Sequence, residues 1–233
     1  MEKNNIERIK DIAFGLKELN QRVVYVGGAV VQFYATSSGS PEARSTQDVD
    51  CIIKYNSFAD KLLFEEELRK KHFNEELVDG VICRWAHHDN KVDIMPTDSR
   101  YLSFTNRWYE HGYEAKIAYQ VSDDCQIFIL PVLFYLATKF EAIYRDGDDL
   151  RCSHDFEDIV YVLNSCDNIV DIFENEKNPL LKKYICEKSN EILRRPTIHE
   201  EIECVMPLGE EERSDMVYKQ LKCFGSYDNK RQK

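Results

Sequence analysis

Three aspartates lie inside segments that otherwise consist mostly of apolar residues. Asp48 and Asp50 belong to DVDCII at 48–53, and Asp93 belongs to KVDIM at 91–95. Residues i and i+2 of a β-strand share one face, which predicts that Asp48 and Asp50 lie side by side, about 7 Å apart. Carboxylates this close repel each other away from water, and a divalent cation bound by their oxygens removes that repulsion. The spacing alone is compatible with a metal site and also with acids that simply face water.

A pair of glycines ends the β-branched segment RVVYV at 22–26. The residues that follow, AVVQFYA at 29–35, predict a short helix, so the glycines lie where the N–H groups of a helix N-terminus can bind phosphate. Gly27 and Gly28 lack a Cβ atom, which lets a phosphate approach the backbone closely. Because shared carboxylates can hold two metal ions roughly 3.5–4 Å apart, the glycines and the three aspartates together favour metal-assisted chemistry on a phosphate group.

The remaining pattern predicts an α/β front half and a helical back half, with the boundary near 122–131. Apolar residues at helical spacing predict a helix over 6–20, and Ser57 is placed to cap the next helix. Two hairpins are predicted, one from 80–86 and 91–95 and the other from 115–121 and 125–130. Helices are predicted after Pro131, at 153–164 with Ser153 as the N-cap, and at 167–176, 179–193 and 210–223. We therefore expect two domains, 1–125 and 126–233.

The composition limits the partners and the location of the protein. The chain has 233 residues, a net charge of −11 and eight cysteines, none of them in a CxxC pair. The excess of acids disfavours extended contact with nucleic acid phosphates but leaves room for a local basic groove, and the acidic stretch at 199–215 is expected to form a solvated face. The apolar segment at 126–137 is too short to span a membrane, and the first residues are charged. We therefore expect a cytoplasmic protein with reduced cysteines and no membrane partner.

These segments follow one another in an order that resembles the nucleotidyltransferase superfamily typified by DNA polymerase β. That family has a Gly-Gly or Gly-Ser turn, a helix, an Asp-x-Asp strand and a third aspartate on a later strand, matched here by VGGAV, DVD and KVDIM. The resemblance is closest to small bacterial nucleotidyltransferases of the abortive-infection toxin type, because RSTQDVD at 44–50 matches their Arg-x-Thr-x-Asp-x-Asp motif. TKFEAIYRD at 138–146 and SHDFEDIVYVL at 153–163 match later motifs, while the segment between Gly28 and Asp48 is longer than usual.

The resemblance implies a nucleotidyltransferase core in which helices flank a mixed, twisted β-sheet, followed by a C-terminal helical region. It also implies roles for individual residues. Asp48 and Asp50 would bind the metal ions that hold a nucleoside triphosphate, and Asp93 would bind the catalytic metal and accept a proton from the acceptor hydroxyl. The residues implied in nucleotide binding are Gly27, Gly28, Arg44, Thr46, Lys139 and Asp155.

Several of these residues also have a purely structural interpretation. Arg44 could be a solvated loop cation, and Lys139 could be a helix lysine that extends to water. Asp155 and Asp158 could be acids in the first turn of a helix, where the helix dipole favours them. The three residues HHD at 87–89 are interpreted as a solvated turn, because neighbours in a tight hairpin rarely converge on one metal ion.

The expected activity is the metal-dependent transfer of a nucleoside monophosphate from a triphosphate such as ATP or GTP to an acceptor hydroxyl, with release of pyrophosphate. Two Mg²⁺ ions, or Mn²⁺ in their place, would support it. The acceptor stays open between a transfer RNA, a small molecule such as an aminoglycoside, and a protein. A transfer RNA acceptor would suit the toxin of a toxin–antitoxin or phage-defence system with an antitoxin partner. The alternative is a catalytically inactive nucleotide-binding module. The sequence leaves the preferred triphosphate, the oligomeric state and the role of 165–233 open.

Overall fold

The computed structural model describes residues 3–76, 82–102, 105–145 and 147–227. The chain folds into two compact units. The first unit consists of Met1–Val30 and Arg44–Pro131, and the second of Val31–Ala43 and Val132–Lys233. The first two residues of the strand predicted at 80–86 lie outside the described residues.

The first unit contains a mixed β-sheet whose described part has seven strands. The strands are β1 Val23–Val26, β2 Asp48–Ile53, β3 Asn74–Glu75, β4 Arg84–His87, β5 Asn90–Pro96, β6 Ile117–Ser122 and β7 Cys125–Ile129. They lie in the order β3-β4-β5-β2-β1-β7-β6. β2 pairs with β5, and β1 with β7, in parallel, while the other neighbours are antiparallel. The mixed sheet is therefore confirmed, and the two predicted hairpins are β4–β5 and β6–β7.

The helices of the first unit begin where local capping signals occur. They are α1 Asn5–Leu16, α2 Phe58–Lys70 and α3 Tyr109–Glu114. Asn4 and Glu7 form a capping box at the start of α1, and the Ser57 side chain caps α2 as predicted. The first helix ends at Leu16, earlier than predicted, because Lys17 adopts a left-handed φ of 52° and the chain tightens into a 3₁₀ helix. α3 was not predicted.

The second unit is helical, as the back half of the sequence predicts. Its helices are α4 Val132–Ala142, α5 His154–Ser165, α6 Ile169–Asn175, α7 Pro179–Leu193, α8 Ile198–Val205 and α9 Ser214–Gly225. Ser153 caps α5 as predicted, and Pro179 begins α7, where its missing N–H group leaves no helical bond unmade. The acidic stretch was expected to form a solvated face, but it contains α8, whose Glu201 is buried and pairs with Arg195 at 2.5 Å. That prediction is therefore wrong for Glu201, whereas Glu200 and Glu203 of α8 are exposed as expected.

The helices are short compared with the thickness of a bilayer. The longest of those described, α7, has 15 residues, whereas a membrane span needs about 20 apolar residues. Within the described ranges, no helix combines the length and the apolar character that crossing a membrane requires.

Candidate active site

The strand register places two of the predicted aspartates side by side. In the parallel pair β2–β5, Asp50 lies opposite Asp93, so the two side chains share one face of the sheet. Asp48, two residues before Asp50, lies on the same face. Neighbouring strands are about 4.8 Å apart, so the Asp50 and Asp93 side chains are direct neighbours. The structure thus brings the three aspartates together.

Arg84 joins this row from the next strand, where the antiparallel pair β4–β5 places it opposite Asp93. Its Nε donates a 2.8 Å hydrogen bond to Asp93 Oδ1, and its Nη2 lies 2.7 Å from Asp93 Oδ2 and 2.7 Å from Asp48 Oδ2. This two-pronged contact with one carboxylate is the strong geometry of a guanidinium. The hydrogen bonds with Asp93 and the nearby negative charges raise the pKa of Arg84, so the group stays positively charged at neutral pH.

Arg84 was not predicted as a site residue, although the sequence contains a usable signal for it. The turn of the β4–β5 hairpin is formed by His88 and Asp89, which leaves His87 opposite Asn90. Counting outward in pairs from that turn reaches Arg84 opposite Asp93. The position of the two-residue turn therefore predicts that Arg84 lies opposite Asp93, provided that the two strands pair residue by residue from that turn.

Asp50 lies directly against the glycine turn. Gly27 follows β1 with a left-handed φ of +71°, and a Cβ atom built on it would lie 2.0 Å from Asp50 Oδ2. A glycine is required here for two reasons, the backbone conformation and the close approach of the carboxylate. Gly28, the second glycine, begins a 3₁₀ helix, Gly28–Tyr34, at the place where the sequence predicted a short helix.

Replacement of Gly27 by alanine is expected to cost about 1–3 kcal/mol more than the same replacement at Gly39, the typical cost of overpacking. Both glycines have a left-handed φ, so both variants carry the strain of a side chain in that region. Only at Gly27 does the new Cβ meet Asp50, because nothing lies within 4 Å of a Cβ at Gly39. Urea unfolding of both variants measures the difference. Equal losses of stability would show that Asp50 does not press against this turn.

The segment before β2 is held against the second glycine. A Cβ atom on Gly28 would lie 2.4 Å from Arg44 Nη2 and 3.0 Å from Thr46 Cγ2. Asn5, in the first turn of α1, positions this segment: its Nδ2 donates to the Arg44 carbonyl at 2.9 Å, and its Oδ1 accepts from the Thr46 N–H at 3.0 Å. The Thr46 hydroxyl donates to the Asp48 carbonyl at 2.9 Å. The Arg44 guanidinium therefore lies beside the glycine turn, and Asn5 is a positioning residue that sequence reasoning missed.

Lys139 and Asp155 lie in the second unit, where they form one buried ionic cluster with Asp158. Lys139 Nζ lies 2.9 Å from Asp155 Oδ1 and 2.6 Å from Asp158 Oδ2. Burial by itself lowers the pKa of Lys139, but the attraction of Asp158 and Asp155 outweighs it and the pKa is raised. The interpretation of Lys139 as a lysine extended to water is wrong, because its side chain is only 8% exposed.

Cys51 follows Asp50 in the sequence and Cys83 precedes Arg84, but neither thiol is ionised. Burial, together with the negative charges of Asp93 and Asp50, raises the pKa of the Cys83 thiol to about 11. Burial raises the pKa of Cys51 as well. Both thiols are therefore protonated at neutral pH, which leaves oxygen groups as the chemically active ones here.

The residues HHD do not form a simple solvated turn. His88 and Asp89 are exposed, but His87 is buried, and its ring stacks on Phe73 with a centroid distance of 4.2 Å. Burial lowers the pKa of His87, which keeps it neutral at neutral pH. The prediction was therefore wrong for His87, which is a core residue at the end of β4.

The three aspartates suit divalent ions by their chemistry. In the described part of the chain, no group of three or more His, Cys, Asp or Glu side chains has the arrangement of a metal site as it stands. At the aspartates, the guanidinium of Arg84 contacts two of the three carboxylates. Carboxylate oxygens are nevertheless the ligands that Mg²⁺ prefers. The oxygens of these residues therefore fit divalent ions when Arg84 releases them.

Comparison with known proteins defines the class of fold. Neither a protein-family model nor a curated protein matches the chain. Solved structures do match, and they show that the chain has the fold of nucleotidyltransferase-like proteins. This agrees with the α/β architecture and with the superfamily that the sequence motifs resemble.

Two of these structures extend over most of the chain. An antigenic nucleotidyltransferase-like protein from Paracoccidioides brasiliensis is 13% identical, with a TM-score of 0.51, over 86% of this chain and 93% of its own. An inferred nucleotidyltransferase from H. pylori is 12% identical, with a TM-score of 0.50, over 99% of this chain and 98% of its own. At these identities the likeness shows the fold alone, and the activity has to be argued from the site.

Proposed function

We propose that the protein is a metal-dependent nucleotidyltransferase, which moves a nucleoside monophosphate from a triphosphate to an acceptor hydroxyl and releases pyrophosphate. The observation that carries this proposal is the row of aspartates: Asp48, Asp50 and Asp93 share one face of the sheet beside a glycine turn. The fold supports the same class of reaction. In this proposal the first unit contains the chemical site.

In the proposed reaction, the residues of the site have different roles. The acceptor oxygen attacks the α-phosphorus and forms a new P–O bond, while the bond from that phosphorus to the bridging oxygen of the β-phosphate breaks and pyrophosphate leaves. Asp93 takes the proton of the acceptor hydroxyl. Asp48, Asp50 and Asp93 would hold two Mg²⁺ ions, or Mn²⁺, which when bound neutralise phosphate charge and activate the hydroxyl.

The glycine turn beside the aspartates offers groups that bind phosphate. Gly27 and Gly28 let a phosphate approach the backbone, and the Arg44 guanidinium lies against Gly28. A guanidinium presents a planar fork of donors that matches phosphate oxygens. Cationic and glycine groups beside three carboxylates therefore suit a ligand that brings both phosphates and divalent metal, as a nucleoside triphosphate does.

Incubation of the protein with each labelled triphosphate tests the proposal. The reactions contain Mg²⁺ or Mn²⁺ and, in separate samples, total RNA, total protein or aminoglycosides as acceptors. The expected result is transfer of label to one acceptor class, with release of an equal amount of pyrophosphate. Transfer to RNA would favour the toxin of a toxin–antitoxin system, and transfer to an aminoglycoside would favour a small-molecule enzyme. Absence of label in every acceptor class would contradict the proposal.

A nucleotide-binding module without catalysis is the second candidate. The observation that favours it is the contact of Arg84 with both Asp48 and Asp93, which neutralises part of the charge that metal ions would need. This candidate predicts calorimetric binding of nucleotide without turnover on any acceptor. Both candidates predict that magnesium with a triphosphate raises the melting temperature, because a ligand that binds only the folded state stabilises it.

A further inference from the structure

Arg84 makes its strongest contacts with the groups that the proposed reaction needs for metal. Its guanidinium donates two hydrogen bonds to Asp93 and one to Asp48, all between 2.7 and 2.8 Å. The side chains are 19% exposed for Arg84 and 11% for Asp93, so water screens this interaction less than it screens a surface ion pair. The contact is therefore a substantial electrostatic feature of the site.

A divalent ion and this guanidinium compete for the same oxygens. Asp48 and Asp93 would each have to supply oxygen ligands to the metal, and two positive groups on one carboxylate repel each other at short range. Metal binding therefore requires Arg84 to give up at least part of its contacts. In the ligand-free protein, this requirement weakens the affinity of the site for metal.

A triphosphate offers Arg84 a replacement partner. Phosphate oxygens accept the same forked pair of hydrogen bonds as a carboxylate. β4 fixes the backbone of Arg84 opposite Asp93, so the guanidinium exchanges partners only by moving its flexible side chain. The carboxylates that it leaves then accept the metal ions that accompany the nucleotide.

We propose that Arg84 is an internal cation that keeps Asp48 and Asp93 closed to divalent metal until a nucleoside triphosphate takes over its guanidinium. This inference rests on the proposed function and adds an order of events to it. Metal and nucleotide bind with positive coupling, and by linkage each raises the affinity for the other by the same factor. The protein by itself binds metal weakly.

Calorimetric titration of the ligand-free protein with Mn²⁺ tests the proposal. Arg84→Gln is expected to bind Mn²⁺ at least about tenfold more tightly than the wild type, because it removes the competing charge but keeps a polar side chain. Arg84→Lys keeps the charge but loses the forked pair of donors, so its affinity for Mn²⁺ is expected to lie between those of the wild type and Arg84→Gln. Arg100→Gln is the matched control: Arg100 is an exposed arginine of the same unit, paired with Asp98. It is expected to bind Mn²⁺ as the wild type does.

A second titration needs no variant and covers the case in which Arg84→Gln does not fold. The wild type is titrated with Mn²⁺ in the presence of an α,β-methylene triphosphate, which binds without transfer, and the Mn²⁺ binding of the analogue alone is measured and subtracted. The affinity for Mn²⁺ is expected to rise at least about tenfold, the range of a typical coupling free energy. Equal Mn²⁺ affinities with and without the analogue, or in wild type and Arg84→Gln, would overturn the role of Arg84 and leave the proposed function standing. Absence of Mn²⁺ binding in every sample would overturn both.

Discussion

Replacement of Asp50 by asparagine is expected to lower the rate of nucleotidyl transfer at least about 1,000-fold, which corresponds to about 4 kcal/mol of lost transition-state stabilisation. The substitution preserves the size of the side chain but removes a negative charge from the end of the row that Asp93 and Arg84 continue. The site would then lose a carboxylate that, in the proposed reaction, holds metal. The measurement is the initial rate of label transfer under saturating triphosphate.

The matched control is Asp123→Asn, the same chemical change at an exposed residue in the turn between β6 and β7. It is expected to leave the rate within about twofold of the wild type, because surface substitutions away from a site have small effects. Thermal melting of both variants verifies that they fold. A folded Asp50→Asn protein that retains transfer would contradict the assignment of the site to the row of aspartates.

Replacement of Lys139 by methionine is expected to destabilise the second unit by about 3–5 kcal/mol, the usual cost of removing one partner of a buried ion pair. Methionine fills a similar volume, so the loss of stability measures the removal of the charge rather than the creation of a cavity. Without the ammonium group, Asp155 and Asp158 remain as two neighbouring carboxylates, and the Asp158 side chain is only 1% exposed. Urea unfolding followed by circular dichroism measures the change.

Lys183→Met provides the control for this experiment. Lys183 lies on α7 in the same unit, is 62% exposed and has an ion pair with Glu187 at 3.7 Å. Exposed pairs of this kind contribute about 0–1 kcal/mol, so the control is expected to unfold close to the wild type. A loss below about 1 kcal/mol for Lys139→Met would show that the cluster contributes little to stability. Lys139 would then be better explained by a role in ligand binding.

The pH dependence of the Lys139 effect has a definite sign. The pKa of Lys139 is higher in the folded protein than its ordinary value of 10.5. A raised pKa means that the stabilisation from this charge is fully present below the ordinary value and is lost only as pH rises through the folded one. The difference in stability between Lys139→Met and the wild type is therefore expected to be the same at about pH 7 and about pH 9. A difference that shrinks between these two pH values would contradict the raised pKa.

The sequence by itself determined the elements that carry the site. Alternation within DVDCII predicted that Asp48 and Asp50 share a face, because a period of two is a property of any β-strand. Ser57 and Ser153 predicted where α2 and α5 begin, because a cap is satisfied by groups only a few residues away. Signals of this kind act over short distances along the chain and need no knowledge of the fold.

The tertiary structure decided which distant segments meet. Asp93 lies beside Asp50 only because β5 pairs with β2 in one particular register, and a slip by one residue would move its side chain to the other face. The register of the β4–β5 hairpin then places Arg84 against these carboxylates, which no pattern within its own strand reveals. Packing likewise decided that Lys139 and His87 are buried. The free energy of a charged or polar group depends on its surroundings, and those surroundings are built from residues far apart in sequence.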